Sequence, residues 1–300
     1  MLPIITVLTP TYNRKDTIIR LYNSLLKQTC FNFEWLIIDD GSTDGTDEYF
    51  NELIRTSFKI RYYNTRNGGK HRAINFGVDL AEGEYLFIVD SDDYLTDDSI
   101  AIIFSWIKTI KDSDKRFAGV SGLKGYSDSN YVGKTFKGEC LDCTNLERAK
   151  FNIYGDKSEV YITDILRKYK FPEISNEKFI TEDIVWNRIA NDGYLIRYFN
   201  KINYICEYRV DGLTNKSDEL FCKNFEGYTL YIKELLNYEA PLKVKLKAII
   251  AYSYRGRQVK TSYKILSKNV NVPIFILFSL SNLGKLYKKI KYLSYARSNV

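Results

Sequence analysis

Asp90, Asp92 and Asp93 stand together in DSDD, where the apolar run Tyr85–Val89 ends. Carboxylates this close repel one another unless something positive joins them. Closely spaced aspartates after a buried strand suit a hard divalent cation, which takes oxygen ligands and bridges phosphate oxygens. Asp92 and Asp93 equally suit a turn that caps a helix starting near Thr96, so the cluster alone leaves both readings open. A second acidic group, Thr181-Glu182-Asp183, precedes apolar Ile184, Val185, Trp186 and Ile189 at helical spacing. Thr181 reads as an N-cap there, with the two acids favouring the helix dipole.

The elements that must hold these groups alternate along the first hundred residues. ITVLTP (Ile5 to Pro10) reads as a strand and Asp16 to Gln28 as a helix, with Ile18, Leu21, Leu25 and Leu26 near helical spacing. FEWLIIDD is a second strand, GSTDGT a turn, and Thr46 to Arg55 a helix. KIRYYN is a third strand, followed after NGGK by a helix through Asp79, and then YLFIV. Strands interleaved with such helices predict an α/β fold with a mostly parallel, Rossmann-like sheet. Ligands of open α/β sheets bind beyond the carboxyl ends of the strands. TYN, DDGS, NGGK and DSDD all fall at those ends.

From about Ala118 to Asn176 the pattern weakens into short β-like pieces such as VYITDIL. Helical periodicity returns over Ile180–Tyr194 and stops at Asp192-Gly193. KINYICEYR is another strand, and the last eighty residues read as helices.

The 300 residues are 45% hydrophobic and 27% charged, a globular composition large enough to bury a sizeable core. The net charge of +7 conceals an asymmetry: residues 1–220 hold 29 Lys and Arg against 34 Asp and Glu, whereas residues 221–300 hold 15 against 3. A basic block of this kind implies an anionic partner. No recognition motif for nucleic acid accompanies it, which argues against that partner. Val272 to Leu293 has an apolar first half and a Lys-rich second half. It reads either as an interfacial helix on an anionic membrane or as a docking helix, and the sequence leaves both open. Nothing resembles a signal peptide, and no apolar run reaches the roughly 18–20 residues that span a bilayer. Five irregularly spaced cysteines, with Cys140 and Cys143 as a lone CxxC, predict free thiols in a reducing cytoplasm.

TPTYNR (9–14), LIIDDGSTDGT (36–46), NGGKHRAIN (67–75), VDSDD (89–93) and TED (181–183) occur in this order. Together they resemble the inverting family-two glycosyltransferases of the GT-A fold, which build bacterial surface polysaccharides. The resemblance covers roughly residues 1–215. It implies a catalytic domain over 1–218, with a nucleotide-binding half (1–100) and an acceptor half (101–218), and then a helical, basic region over 219–300. It further implies a nucleotide-sugar donor, usually a UDP-sugar, a divalent Mn²⁺ or Mg²⁺, and a glycan or lipid-linked acceptor. Carried over by position, Asp92 is the main metal ligand, and Asp90 shares the metal or binds ribose. Ser91 lies in the same donor-binding turn, and Asp93 supports it or caps a helix. Asp40 takes the place of the acceptor for the uracil N3–H, while Asp39, on the opposite face by strand alternation, reads as structural. Pro10, Thr11 and Tyr12 frame the base, and Asn67 with Gly68-Gly69 lets backbone approach the nucleotide. Many relatives carry Arg where this chain has Ile74, so Lys70 or Arg72 becomes the candidate cation, with Lys70 at a helix start placed to reach phosphate. His71, the only histidine, reads either as a packed residue or as a ligand contact. Asp183 takes the place of the catalytic base, Glu182 orients it or binds acceptor, and Arg209 in EYRVDGLTNK is a candidate diphosphate contact.

Two rivals remain. A sugar-phosphate nucleotidyltransferase should carry a Gly-rich, Arg/Lys-bearing stretch near the N-terminus, which TPTYNRKD lacks. A non-catalytic assembly subunit should have lost Asp90, Asp92 or Asp183, which are all present. No GxGxxG follows the first strand, which argues against a dehydrogenase. The sequence leaves donor sugar, acceptor and oligomeric state open.

Overall fold

A computed structural model describes residues 4–52, 57–207 and 217–281. In chain order its elements are β1 (Ile5–Thr11), α1 (Lys15–Leu26), β2 (Phe33–Asp39), α2 (Thr46–Glu52), β3 (Lys59–Asn64), α3 (Lys70–Leu80), β4 (Tyr85–Ile88), β5 (Tyr94–Leu95) and α4 (Ser99–Lys111). Then come β6 (Phe117–Ser127), β7 (Asn130–Tyr131), β8 (Cys140–Cys143), a 3₁₀ segment Asn145–Phe151, β9 (Lys157–Ile162), α5 (Thr163–Lys168), α6 (Asp183–Asn191) and β10 (Leu195–Ile205). The C-terminal helices are α7 (Ser217–Lys223), α8 (Phe225–Asn237), α9 (Leu242–Gln258) and α10 (Tyr263–Val270).

The main sheet runs β3-β2-β1-β4-β9-β6-β10-β5. The first four strands are parallel, β9 is antiparallel to both its neighbours, and β6 and β10 are again parallel. The chain winds outward from β1 to β2 and β3, then returns through α3 to place β4 on the other side of β1. That reversal is a topological switch point, so a crevice opens at the carboxyl ends of β1 and β4.

Both faces of the parallel strands are covered, which explains their near-continuous apolar runs. Ile18, Leu21 and Leu25 of α1 pack with Val7, Trp35 and Phe87 in one buried cluster. Trp35 stacks on Tyr22 with centroids 5.8 Å apart and donates Nε1–H to Thr9 Oγ1 at 2.9 Å. α3 lies so close to β1 and β2 that a Cβ on Gly77 would stand 2.3 Å from Leu8 Cδ1. Alanine there would push the helix off the sheet and displace Lys70 at its start.

The weakly patterned middle of the chain forms sheet strands after all. β6 and β9 pair over five residues each. In VYITDIL only VYI is strand, and TDIL opens α5. The final strand starts earlier than KINYICEYR, at Leu195, because register shifts against β6 break its alternation. α4 begins at Ser99 rather than near Thr96, since β5 takes Tyr94 and Leu95 into the sheet beside β10. Arg55, the expected end of the second helix, lies outside the described residues.

The chain divides into two compact units, Met1–Glu173 with Val185–Arg209, and Ile174–Ile184 with Val210–Val300. The second unit has its own core, in which Tyr228, Ile232, Tyr252, Leu266 and Leu277 are buried together. Among the described residues no helix is long and apolar enough to cross a membrane.

Candidate active site

The β4 strand delivers the acidic turn to the switch point. Val89 N still donates to Leu8 O at 2.9 Å, so pairing with β1 persists to the edge of DSDD. The turn closes with Asp93 N on Asp90 O at 3.1 Å. On one side Arg20 of α1 donates to Asp92 O at 2.6 Å, pairs with Glu207 and lies 5.0 Å over the Tyr94 ring. On the other side the Tyr204 hydroxyl of β10 accepts from Asp90 N at 3.0 Å and donates to Asp93 Oδ2 at 2.7 Å. Glu207 N donates to Asp93 Oδ1 at 3.1 Å. Asp93 is buried behind the turn and braces it. It does not cap α4, whose N-cap is Asp98.

Asp90 has its counter-charges in place. Lys70 Nζ lies 2.5 Å from Oδ1, and Lys124 Nζ of β6 lies 3.8 Å from Oδ2. Burial opposes ionisation of Asp90, but the two lysines outweigh it and hold its carboxyl below the usual range. Lys124 sits opposite Tyr204 in the β6–β10 register, with its ammonium 4.1 Å over that ring. Burial works against its charge, and Asp90 and Asp93 overcome that and raise its pKa.

Asp92 is less well compensated. Burial, then the Asp90 charge, push its carboxyl up, and Arg14, 3.9 Å away, and Lys70 offset this only in part. Burial and Asp90 likewise push Asp93 up to about 7. A carboxylate held in this way gains from an added cation. Among the described residues no three His, Cys, Asp or Glu side chains converge as a ready-made cage. Mg²⁺-type sites bound through one or two carboxylates plus substrate phosphates need none. Asp92 and Asp90 therefore fit the protein's share of such a site.

The base side of the crevice is built from loops tied to one another. Asn13, at φ 51°, accepts from Thr43 N at 2.8 Å and donates its own N–H to Ser42 Oγ at 2.8 Å. Lys15 N donates to Asp44 Oδ2 at 2.9 Å. The GSTDG turn thus holds the chain between β1 and α1. Pro10 and Thr11 end β1, Thr11 Oγ1 is buried without a hydrogen-bond partner, and Tyr12 is 48% exposed beyond them.

Asp40 is buried, and its carboxylate accepts from Asn67 Nδ2 at 3.1 Å, Gly68 N at 2.6 Å and Gly69 N at 2.8 Å. It therefore shapes the NGG loop that starts α3. Gly69 adopts φ 99°, which a side chain would resist. Asp39 points the other way and is structural, accepting from Ser42 N at 2.7 Å and from the Tyr62 hydroxyl at 2.6 Å.

Lys70 and Arg72, expected as alternative cations, separate. Lys70 reaches Asp90, whereas Arg72 donates to Gly68 O at 2.5 Å and pairs with Glu173 at 3.5 Å. Arg72 also lines, with Asp40, Thr65 and Arg66, a groove of about 310 Å³. Ser91 is buried within the acidic turn. His71 is buried with both ring nitrogens lacking a hydrogen-bond partner, and burial, then the Arg72 charge, push its pKa down to about 4.

In the second unit, Glu182 and Asp183 are half-buried at the start of α6. The chain leading to them is tied to α8. Glu177 accepts from Glu226 N and Gly227 N, both at 2.8 Å, and Asn224 Oδ1 accepts from Lys178 N at 2.8 Å and Phe179 N at 3.1 Å. Burial, then the Asp183 charge, push the Tyr231 hydroxyl well up. Arg209 lies outside the described residues. All five cysteines are free, and Cys140 is exposed while Cys143 is buried.

Four residues at the acidic turn escaped the sequence analysis: Arg14, Arg20, Lys124 and Tyr204. Lys124 and Tyr204 reach Asp90 through sheet pairing across 34 and 114 residues, and no local pattern signals that.

Residues 6–129 match the model of the family described as "Glycosyl transferase family 2". Glycosyltransferase GlyG of Streptococcus pneumoniae serotype 4 is 35% identical over 115 residues, covering 38% of this chain and 38% of that protein. This chain thus spans well under two thirds of the length of that relative. Among solved structures, S. aureus TarS 1-349 in complex with UDP-GlcNAc superposes with a TM-score of 0.60 at 24% identity, covering 85% of this chain and 72% of that one. The mannosyltransferase PcManGT from Pyrobaculum calidifontis, in complex with GDP-Man and Mn²⁺, gives 0.53 at 17%, covering 99% and 85%. At these identities the likeness is one of fold.

Proposed function

We propose, from the match of residues 6–129 to the glycosyl transferase family 2 model and the fold shared with TarS, that the protein is a hexosyl- or N-acetylhexosaminyltransferase. It moves a sugar from a UDP-sugar to a hydroxyl of a glycan or lipid-linked acceptor in surface polysaccharide assembly. The observation that carries this reading is the acidic turn at the switch point, with Asp90 paired to Lys70 and Asp92 left short of positive charge. The UDP-GlcNAc bound by the similarly folded TarS supports the donor class, and the Mn²⁺ in PcManGT supports a divalent metal. Free cysteines throughout support a reducing cytoplasm.

In this reading Pro10, Thr11 and Tyr12 frame the base, and Asp40 orients both the uracil and the Asn67–Gly69 loop. Asp90 and Ser91 meet the ribose and diphosphate. Asp92, with Asp90, would hold Mn²⁺ or Mg²⁺, which supplies positive charge to the leaving diphosphate. Lys70, at the N-terminus of α3, adds a fixed cation near those oxygens. Arg72 and Arg209 are secondary candidates for the same anion.

Asp183 takes the proton of the acceptor hydroxyl as that oxygen bonds to the anomeric carbon. The bond from that carbon to the diphosphate oxygen breaks on the opposite side, and its electron pair leaves with UDP. One displacement inverts the anomeric configuration and needs no covalent sugar–enzyme intermediate. Glu182 orients Asp183 or the acceptor.

A panel of UDP-sugars with candidate acceptors, followed by NMR of the product anomer, tests this. An inverted product that Asp183→Asn abolishes, with UDP binding intact, is the expected result. A retained anomeric configuration overturns the mechanism.

A further inference from the structure

We infer that the C-terminal unit carries a docking face for an anionic lipid bilayer, built on the helical residues 274–281 and on α10. The unit has a core of its own, and Leu277 and Ser281 are fully buried in it. Ser253 donates its hydroxyl to Leu277 O at 2.5 Å, and the hydroxyls of Tyr263 and Ser281 share a hydrogen bond at 2.6 Å. The inner side of this helix is therefore set by packing.

Its outer side is apolar. Phe278 neighbours Ile274 at i, i+4 and Phe275 at i, i+3, so the three side chains adjoin along the helix. Phe275 is 71% exposed, Phe278 55% and Ile274 48%. Ile265 of α10 is 52% exposed, and Tyr263 of the same helix meets the Phe278 ring edge-on at 5.6 Å. Large side chains scattered singly over a surface need no explanation, but a clustered apolar patch marks an interaction site.

Charge selects the occupant. Residues 240–300 contain 13 Lys and Arg and no Asp or Glu. On α10 itself, Lys264 and Lys268 are exposed beside Ile265. A second copy of the chain fits poorly, because a two-fold interface sets each patch against its own kind and brings like charges together. A surface that is negative outside and apolar beneath accepts both features. Phenylalanines enter the acyl boundary while lysines meet the headgroups. The inference does not depend on the sugar-transfer reading.

Vesicle co-sedimentation of the full chain tests it, using phosphatidylcholine vesicles with and without about one third phosphatidylglycerol. Binding to the anionic vesicles only, weakened by salt, is expected. Phe275→Ser/Phe278→Ser should bind at least about tenfold more weakly. An unchanged thermal midpoint and an unchanged far-ultraviolet circular dichroism spectrum establish that this variant folds. Phe275→Trp should show a blue-shifted emission with the same vesicles, which charge attraction alone would not produce. Equal binding to both vesicle types, or an unchanged double variant, overturns the inference. So does a wild type that ignores vesicles and runs as a dimer that the double variant dissociates; the surface then belongs to a second copy. Retention on nucleic acid without vesicle binding overturns it as well.

Discussion

The two ends of the parallel strands bury carboxylates in opposite ways. At the amino end, Glu34 is fully buried and accepts from the Thr6 hydroxyl at 2.7 Å, Glu82 N at 2.8 Å and Arg61 Nη1 at 3.1 Å. At the carboxyl end, Asp92 and Asp93 stand with Asp90, and both have their carboxyls pushed up. Glu34 meets its charge and hydrogen-bond needs inside the protein, so it holds the fold together. Asp90 is answered by Lys70 and Lys124, but Asp92 is only partly compensated, so its charge costs stability that a cation and a diphosphate would relieve under the proposed function. Incomplete compensation is a mark of a site made for a ligand, and complete compensation a mark of architecture.

Substitution should therefore act in opposite directions at the two ends. Asp92→Asn should lower the transfer rate by about 100- to 1,000-fold, while the thermal midpoint stays level or rises. The sign follows from linkage. A carboxyl raised in the folded state destabilises it when ionised, so neutralising it removes a penalty at neutral pH. Initial rates and a melting curve on the same sample check both halves. Glu34→Ala should do the reverse, losing about 3 kcal/mol in urea unfolding because the buried Thr6 hydroxyl and Glu82 N lose their acceptor and Arg61 keeps only Glu82 as a carboxylate partner, with an unchanged rate per folded molecule. If Glu34→Ala loses rate and keeps stability, the comparison is broken.

Lys124→Met should weaken UDP binding or kcat/KM by about thirtyfold, since Asp90 then relies on Lys70 alone. Lys124→Arg should restore part of it, because the charge and the stacking on Tyr204 remain. Equal loss in both variants would assign Lys124 a packing role only.

His71 gives the smallest effect and sharpens the contrast, because it is buried like Glu34 yet lacks partners. Its folded pKa of about 4 lies below the usual value of 6.5. As pH falls below 6.5 the unfolded chain takes up a proton that the folded chain refuses, so stability drops across that window. The drop between pH 7.5 and 5.5 should be about 1.4 kcal/mol. His71→Leu should lack this increment in urea unfolding at the two pH values. An undiminished pH slope in the variant would place the imidazole in a solvated, protonatable setting instead.

The parallel half of the fold was legible because β1, β2 and β4 are apolar runs, each ending in a polar cluster at the switch point. Local spacing carries that information. The acidic turn, the NGG loop and Asp39 as a structural residue were legible for the same reason. Lys124 and Tyr204 were not, because their link to Asp90 runs through β6–β10 pairing, with register shifts that no periodicity encodes. The split of VYITDIL was hidden because β9 leads into α5 with no breaker residue between them. Lys70 and Arg72 looked interchangeable in sequence. Two positions of helix rotation send one to Asp90 and the other to Glu173.

Calorimetric titration of UDP, with and without Mn²⁺, on the wild type and Asp92→Ala tests the central claim most directly. Metal-dependent binding to the wild type that Asp92→Ala loses is the expected result. Equal UDP binding by both proteins regardless of metal, or none by either, would contradict it.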